Sequence, residues 1–188
     1  MNSLELQAAL DLPAPLPPDE ELLWFGRPRW QRVALQVCQV RLLGLYFLAL
    51  LAWRATAAFG AGGFAASLGA VGGALPLIGI ALAIVVGFAM VCARTTAYAI
   101  TTQRTLLRVG IAVSVTINIP HRMVQSAAVR TFTDGTGDIP LTLDPGNRIA
   151  YAVLWPHARP WRIRHPEPML RAVPRAIEVA EVLARAIA

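Results

Sequence analysis

Two runs decide how this chain must fold: LLGLYFLALLAWRATAAFG (residues 42–60) and LPLIGIALAIVVGFAMVCA (residues 75–93). From Leu42 to Ala93 the only charge is Arg54. A hydrocarbon core about 30 Å thick needs about 20 helical residues, at 1.5 Å of rise each. Residues 37–59 supply one such span, with Arg41 near its start. Residues 75–93 supply a second, stopped by Arg94. Between them lies Gly60–Gly73, which holds six glycines. Glycine costs a helix interior about 1 kcal/mol relative to alanine, so this stretch reads as a turn. The pattern predicts a transmembrane helical hairpin.

The arginines orient it. Arg27, Arg29, Arg32 and Arg41 come before or at the start of the first span, and Arg94, Arg104 and Arg108 follow the second. Nothing between the spans is charged. Basic flanks stay on the cytoplasmic side, which places both termini in the cytoplasm and the glycine turn outside. A third short span within 55–73 would carry one basic flank outward and is disfavoured. Trp24, Phe25 and Trp30 alternate with Arg27, Arg29 and Arg32, a mixture that the headgroup layer selects. Trp24, Arg27, Arg29, Trp30, Arg32, Arg41 and Arg94 are therefore the membrane-interface candidates; the plain alternative is a lead-in that packs on the globular domain. Gly79, Ala83 and Gly87 recur every four residues. Such a stripe lets helix backbones approach closely in lipid, either within the hairpin or against a partner's helix.

Outside the apolar block the chain is polar. Overall 56% of the 188 residues are hydrophobic and only 15% charged, which excludes a disordered chain and a coiled coil. All 17 basic residues are arginine. Genome codon bias explains that most simply, although the guanidinium also suits interfaces and carboxylate partners. Residues 1–34 form an acidic, proline-rich arm and then the Trp/Arg segment. With five acids and no base in residues 1–21, the start does not read as a signal peptide. The rest of the chain is strongly basic, and the anionic lipid surface is its simplest counterpart.

Residues 94–188 form the third part, after the arm and the hairpin of residues 35–93. Ile111, Val113, Val115, Ile117 and Ile119 alternate with small or polar residues, as in a half-buried strand. Shorter strands are expected over 96–101, 105–109, 124–132, 139–143, 149–154 and 161–164. Pro174 suits the first turn of a closing helix whose apolar face would be Ile177, Ala180, Ala184 and Ile187. Seven strands and one C-terminal amphipathic helix outline a small β-barrel or sandwich. The expected fold class is thus an α+β membrane protein.

Chemistry is not apparent. Cys38 and Cys92 form no CxxC, the three histidines are scattered, and nucleophile-elbow, P-loop, zinc-protease and dinucleotide motifs are missing. Gly135-Thr-Gly137 reads as a hairpin turn. The expectation is a non-enzyme with no cofactor and no metal. The most distinctive stretch is 151–171, which mixes Trp155, His157, Arg159, Trp161, Arg162 and Arg164 with Pro156, Pro160 and Pro166. Aromatic and arginine residues on a stiff loop are typical binding anchors, so these six are the partner-binding candidates; the plain reading is tryptophans that close a barrel. A nucleic-acid partner is not expected, because no RNP-like motif or basic helix accompanies them.

Several segments together resemble the PuhB family, photosynthetic-complex assembly proteins of purple-type phototrophic bacteria. They are ELLWFGRPRW (residues 21–30), VRLLGLYF (40–47), ARTTAYAITTQR (93–104), TINIP (116–120), DGTGDIPL (134–141), LWPHARPW (154–161) and PEPMLR (166–171). The resemblance covers roughly residues 20–188. More broadly, residues 98–120 are similar to bacterial pleckstrin-homology-like domains. The family implies a non-enzymatic assembly factor in the inner, intracytoplasmic photosynthetic membrane. It would serve the reaction centre and core light-harvesting complex 1 through protein contacts, and the question of a homodimer stays open. Two alternatives from other classes stand beside it: a module binding anionic lipid headgroups, and a pigment carrier or membrane enzyme using His121 or His157.

Overall fold

The computed structural model describes residues 7–8, 10, 16–111, 114–144, 146, 151–160 and 166–188. Its backbone separates into two compact units. One holds the chain up to Val33 and again from Val91 onward; the other is Ala34–Met90. In chain order the elements begin with β1 (Leu22–Gly26), α1 (Trp30–Gln36), α2 (Val40–Thr95), β2 (Ala97–Thr101), β3 (Arg104–Val109) and β4 (Val115–Pro120). They continue with β5 (Val124–Ala127), β6 (Arg130–Thr131), β7 (Gly137–Leu143), α3 (Tyr151–Leu154), β8 (Met169–Val173) and α4 (Ala176–Ile187).

The first unit is a β-domain of two antiparallel sheets. One has the order β1-β2-β3-β4; in the other β7 pairs with β5, β6 and β8. Alternation builds the core. Tyr98 and Ile100 of β2, Leu107 and Val109 of β3, and Ile117 and Ile119 of β4 face inward, as period-two strands require. They meet Ile139 and Leu141 of β7, Leu170 and Val173 of β8, and one face of α4. The other face of the first sheet is also covered. Ala97, Ala99 and Leu106 lie there against Leu10 of the N-terminal arm. The Thr116 hydroxyl donates to the Leu10 carbonyl, and Arg108 donates to the Ala8 carbonyl at 3.3 Å. Two small alanines leave the room that this leucine fills, which is why β2 is buried along its whole length.

Strand β1 departs from expectation. Residues 22–26 precede the apolar helix, yet they pair with β2 beyond it: Trp24 lies opposite Ile100 and Phe25 opposite Ala99. The β-domain is therefore discontinuous, and a boundary at Arg94 would leave out its edge strand. Glu20 pins the junction. Its carboxylate receives Arg104 at 2.7 and 2.8 Å and the Thr101 hydroxyl at 2.6 Å. Burial pushes that carboxyl up, but the Arg104 and Thr101 hydrogen bonds and the arginine's charge outweigh it, and the group stays below its ordinary range.

Other expectations need correction. Among the described residues there are eight strands rather than seven. The stretch expected as one strand over 124–132 is split into β5 and β6. Residues 151–154 are helical, not extended, and β8 at 169–173 was not anticipated. The expected strand at 161–164 lies outside the described residues. Helix α4 buries Ala176, Val179 and Leu183, whereas Ile177 is 58% exposed. The apolar stripe is thus rotated from the one expected, although Ala180 and Ile187 do pack on the core. Helix α4 begins after Pro174 and Arg175, the latter left-handed with φ 49°.

The second unit is built from α2. It is one helix by hydrogen bonding, but Gly62 and Gly63 leave helical geometry, Gly63 with φ +68°. A side chain at that φ is strained, so the break needs glycine. Residues 40–61 and 64–95 are the two legs, about 33 and 48 Å long at 1.5 Å per residue. Ser67 donates its hydroxyl to the Ala55 carbonyl at 2.9 Å. Twelve residues would span about 18 Å in a straight helix, so the chain bends sharply at the glycine pair. The turn is two residues rather than fourteen: 64–73 is helical despite its glycines. Among the described residues this is one helix long and apolar enough to cross a membrane. Leu48, Trp53, Phe64, Leu68, Leu77 and Ile84 are each more than 60% exposed along it.

Candidate functional site

The described parts of the distinctive stretch, residues 151–160 and 166–171, are tied to each other by backbone hydrogen bonds. The Met169 amide donates to the His157 carbonyl and the Arg159 amide to the Glu167 carbonyl, both at 2.9 Å. Arg159 also reaches the Glu167 carboxylate at 2.7 Å. The Trp155–Pro156 peptide is cis.

His157, expected as a contact residue, is instead an internal strut and only 1% exposed. Its Nδ1 lies 2.7 Å from the Tyr98 hydroxyl and its Nε2 lies 3.0 Å from Thr96 Oγ1. The Tyr98 oxygen accepts the Arg171 amide at 3.1 Å, so its one proton is directed to Nδ1. Nε2 then carries the ring proton toward Thr96. Burial, with the positive Arg171 adding to it, holds this imidazole down to about 3. It is neutral at physiological pH, which a ring bridging two hydroxyls requires. The sequence held a trace of this: β2 puts Tyr98 on the core face, and a buried phenol needs a polar partner.

Behind the histidine lies more buried polarity. Arg171 donates to the Ala158 carbonyl at 2.9 Å, and Asp138 accepts the Ala172 amide at 2.9 Å. Burial pushes Asp138 up against that hydrogen bond, and burial pushes Arg171 down. These groups satisfy backbone atoms where β7 and β8 meet. His121 is also internal: its Nδ1 is 3.0 Å from the Ala186 carbonyl near the end of α4, and its Nε2 is 3.2 Å from Thr105. Among the described residues no group of three His, Cys, Asp or Glu side chains could hold a metal ion.

The remaining candidates fall into distinct settings. Trp155 is 50% exposed and Arg159 is partly exposed beside its Glu167 partner. Trp161, Arg162 and Arg164 lie outside the described residues. Trp24 sits in β1, half-buried, and packs against the core. Arg32 is turned inward: its Nε donates to Asp134 at 2.6 Å and its guanidinium lies 5.1 Å from the Phe132 ring centre. That hydrogen bond, with those from Thr136, holds the Asp134 carboxyl well below the usual range. Arg27, Arg29, Trp30, Arg41 and Arg94 are on the surface. Gly79 and Ala83 are exposed, and a Cβ built at Gly79 or Gly87 meets nothing within 4 Å. The small stripe is thus open and not filled by the other leg of α2.

Comparison with known proteins adds two matches. The family described as bacterial PH domain matches residues 32–187. A protein of Rhodobacter capsulatus, described as an uncharacterized 23.7 kDa protein in the puhA 5′ region, is 35% identical over 180 residues. The alignment spans 93% of this chain and 83% of that protein. No solved structure matches.

Proposed function

We propose that this chain, which belongs to the bacterial PH domain family, is a membrane-bound, non-enzymatic assembly factor for the photosynthetic reaction centre and its core antenna. The observation that carries this reading is the relative in the puhA region, a reaction-centre gene locus, aligned over most of both chains. His121 and His157 both serve internal hydrogen bonds of the β-domain.

The two legs of α2 form a transmembrane hairpin in this reading. Strands β1 and β2 flank the helix and are hydrogen-bonded to each other. A chain that leaves a folded unit and returns to it crosses a bilayer an even number of times. The break at Gly62 and Gly63 provides two crossings, and the basic flanks put both termini in the cytoplasm. The open Gly79, Ala83 and Gly87 stripe offers a partner helix close backbone approach, at a strength suited to a reversible contact. On the β-domain, Arg159, Trp161, Arg162 and Arg164 are the proposed contact with the complex.

The test is affinity purification of the full chain from phototrophically grown cells. Reaction-centre and antenna subunits are expected with it, and joint alanine substitution of Arg159, Trp161, Arg162 and Arg164 should remove them. Unchanged recovery with a folded, membrane-bound variant would refute the assignment of that contact. Recovery of no photosynthetic subunit by the unaltered chain would refute the assembly reading itself.

A further inference from the structure

The β-domain keeps most of its large apolar side chains inside, yet two of them stand exposed beside the end of α2. Trp155 is 50% exposed and Ile111 42%. They border a small cleft of about 160 Å³ whose opposite wall is Cys92, Thr95 and Thr96. Those three belong to the last turn of α2 and the residue after it, within the same compact unit. The position of each exposed group is fixed. Gly110, at φ 118°, turns the chain so that Ile111 follows β3 directly into the cleft. His157, two residues past Trp155, is bound to both Thr96 and Tyr98, which ties the loop to the chain leaving the helix.

We propose that Trp155 and Ile111 are a bilayer-interface anchor: they dock the β-domain into the headgroup–acyl boundary of the membrane that α2 crosses. This rests on the reading that α2 spans the membrane. Arg94, exposed, is the first charge after the apolar leg, and it marks where the hydrocarbon ends. The headgroup layer beyond it is about 5–7 Å deep. Side chains that share one small cleft with Thr95 fall inside that layer. Exposed there, an indole places its apolar body toward the acyl chains and its N–H toward the headgroups. An isoleucine beside it gains the transfer from water. The anchor accounts for the exposure of Trp155, where Trp24 and Phe25 are half-buried and Tyr98 is buried in the same unit, and it removes Trp155 from the set that could meet a soluble face of a partner.

The experiment uses the full chain with Cys38→Ala and Cys92→Ala, reconstituted in phosphatidylcholine–phosphatidylglycerol vesicles. Single spin labels are placed at Trp155→Cys, at Ile111→Cys, at Ile84→Cys on the helix and at Ile177→Cys on the exposed face of α4. Collision with oxygen reports lipid, and collision with a water-soluble nickel chelate reports water. The labels at 155 and 111 should lie between the other two, with nickel collision several-fold below that at 177. If position 84 lies in lipid but 155 and 111 match 177, the anchor is overturned and the membrane reading survives. If position 84 is as aqueous as 177, both fall. Labels at 155 and 111 shielded from both reagents would mean a protein contact, which also overturns the anchor. Because Ile111 sits on a different loop, its label decides the matter if the Trp155 variant does not fold.

Discussion

The β-domain and the helical unit are both rich in leucine, isoleucine and valine, but they place these residues oppositely. In the β-domain Leu107, Leu141 and Leu170 are fully buried and surrounded by one another. In the helical unit Leu48, Leu77 and Ile84 face outward. The same side chains therefore stabilise the two units through different surroundings. One unit supplies its own apolar phase, about 1.5–3 kcal/mol for each large side chain buried. The other must find that phase outside itself, in lipid or in partner helices.

The largest expected effect sets those surroundings against each other. Leu170→Ala opens a cavity in a closed core and should lower β-domain stability by about 2–5 kcal/mol. Leu77→Ala removes the same atoms from a surface and should leave domain unfolding in detergent almost unchanged. Comparable losses at both positions, measured by denaturant titration, would break the contrast. A smaller effect is expected at Gly137, where a Cβ would come within 2.5 Å of the Arg130 carbonyl oxygen and 2.6 Å of the Ala176 Cβ. Gly137→Ala should cost about 1–3 kcal/mol through overpacking. At Gly79, where the space is open, the same substitution should not lower domain stability.

The smallest effect is a pH slope. An unfolded chain protonates His157 near 6.5, but in the fold the ring stays neutral down to about 3. Between those values the unfolded state binds the extra proton, so stability should fall as the medium is acidified. The slope contributed by one such group is at most about 1.4 kcal/mol per pH unit. His157→Gln, followed by thermal melting between pH 6.5 and 4.5, should flatten that slope while lowering stability at neutral pH. The Glu20 carboxyl, also held low, adds its own loss only toward the acid end and is retained in the variant.

What the sequence made legible follows the same division. The apolar legs needed only charge and length, and β2 to β4 needed only alternation and turn residues. Strand β1 was hidden because Leu22–Gly26 carries two aromatics among arginines and its partner lies beyond the whole helical insertion. The arm's contact was hidden because nothing in the sequence singles out Leu10 from Leu4, Leu6 and Leu12 around it. In the site, His157 reads as an anchor because it lies among tryptophans and arginines on a proline-stiffened stretch. Only the three-dimensional meeting of Tyr98, Thr96 and the loop turns that ring inward. The rotation of α4 has a similar cause: Ile177 and Val179 are both apolar, and which one faces inward depends on where β2, β5 and β7 sit.

The placement of β1 also bears on the order of synthesis. The ribosome makes this strand first, and residues 27–96 must follow before its hydrogen-bonding partner exists. Until then the strand waits with an open edge. If only one leg were to insert, β1 and β2 would end on opposite sides of the bilayer and the first sheet could not close. With α2 spanning the membrane as proposed, a completed sheet certifies that both legs have been threaded correctly, and an incomplete one displays an unpaired edge to chaperones and proteases.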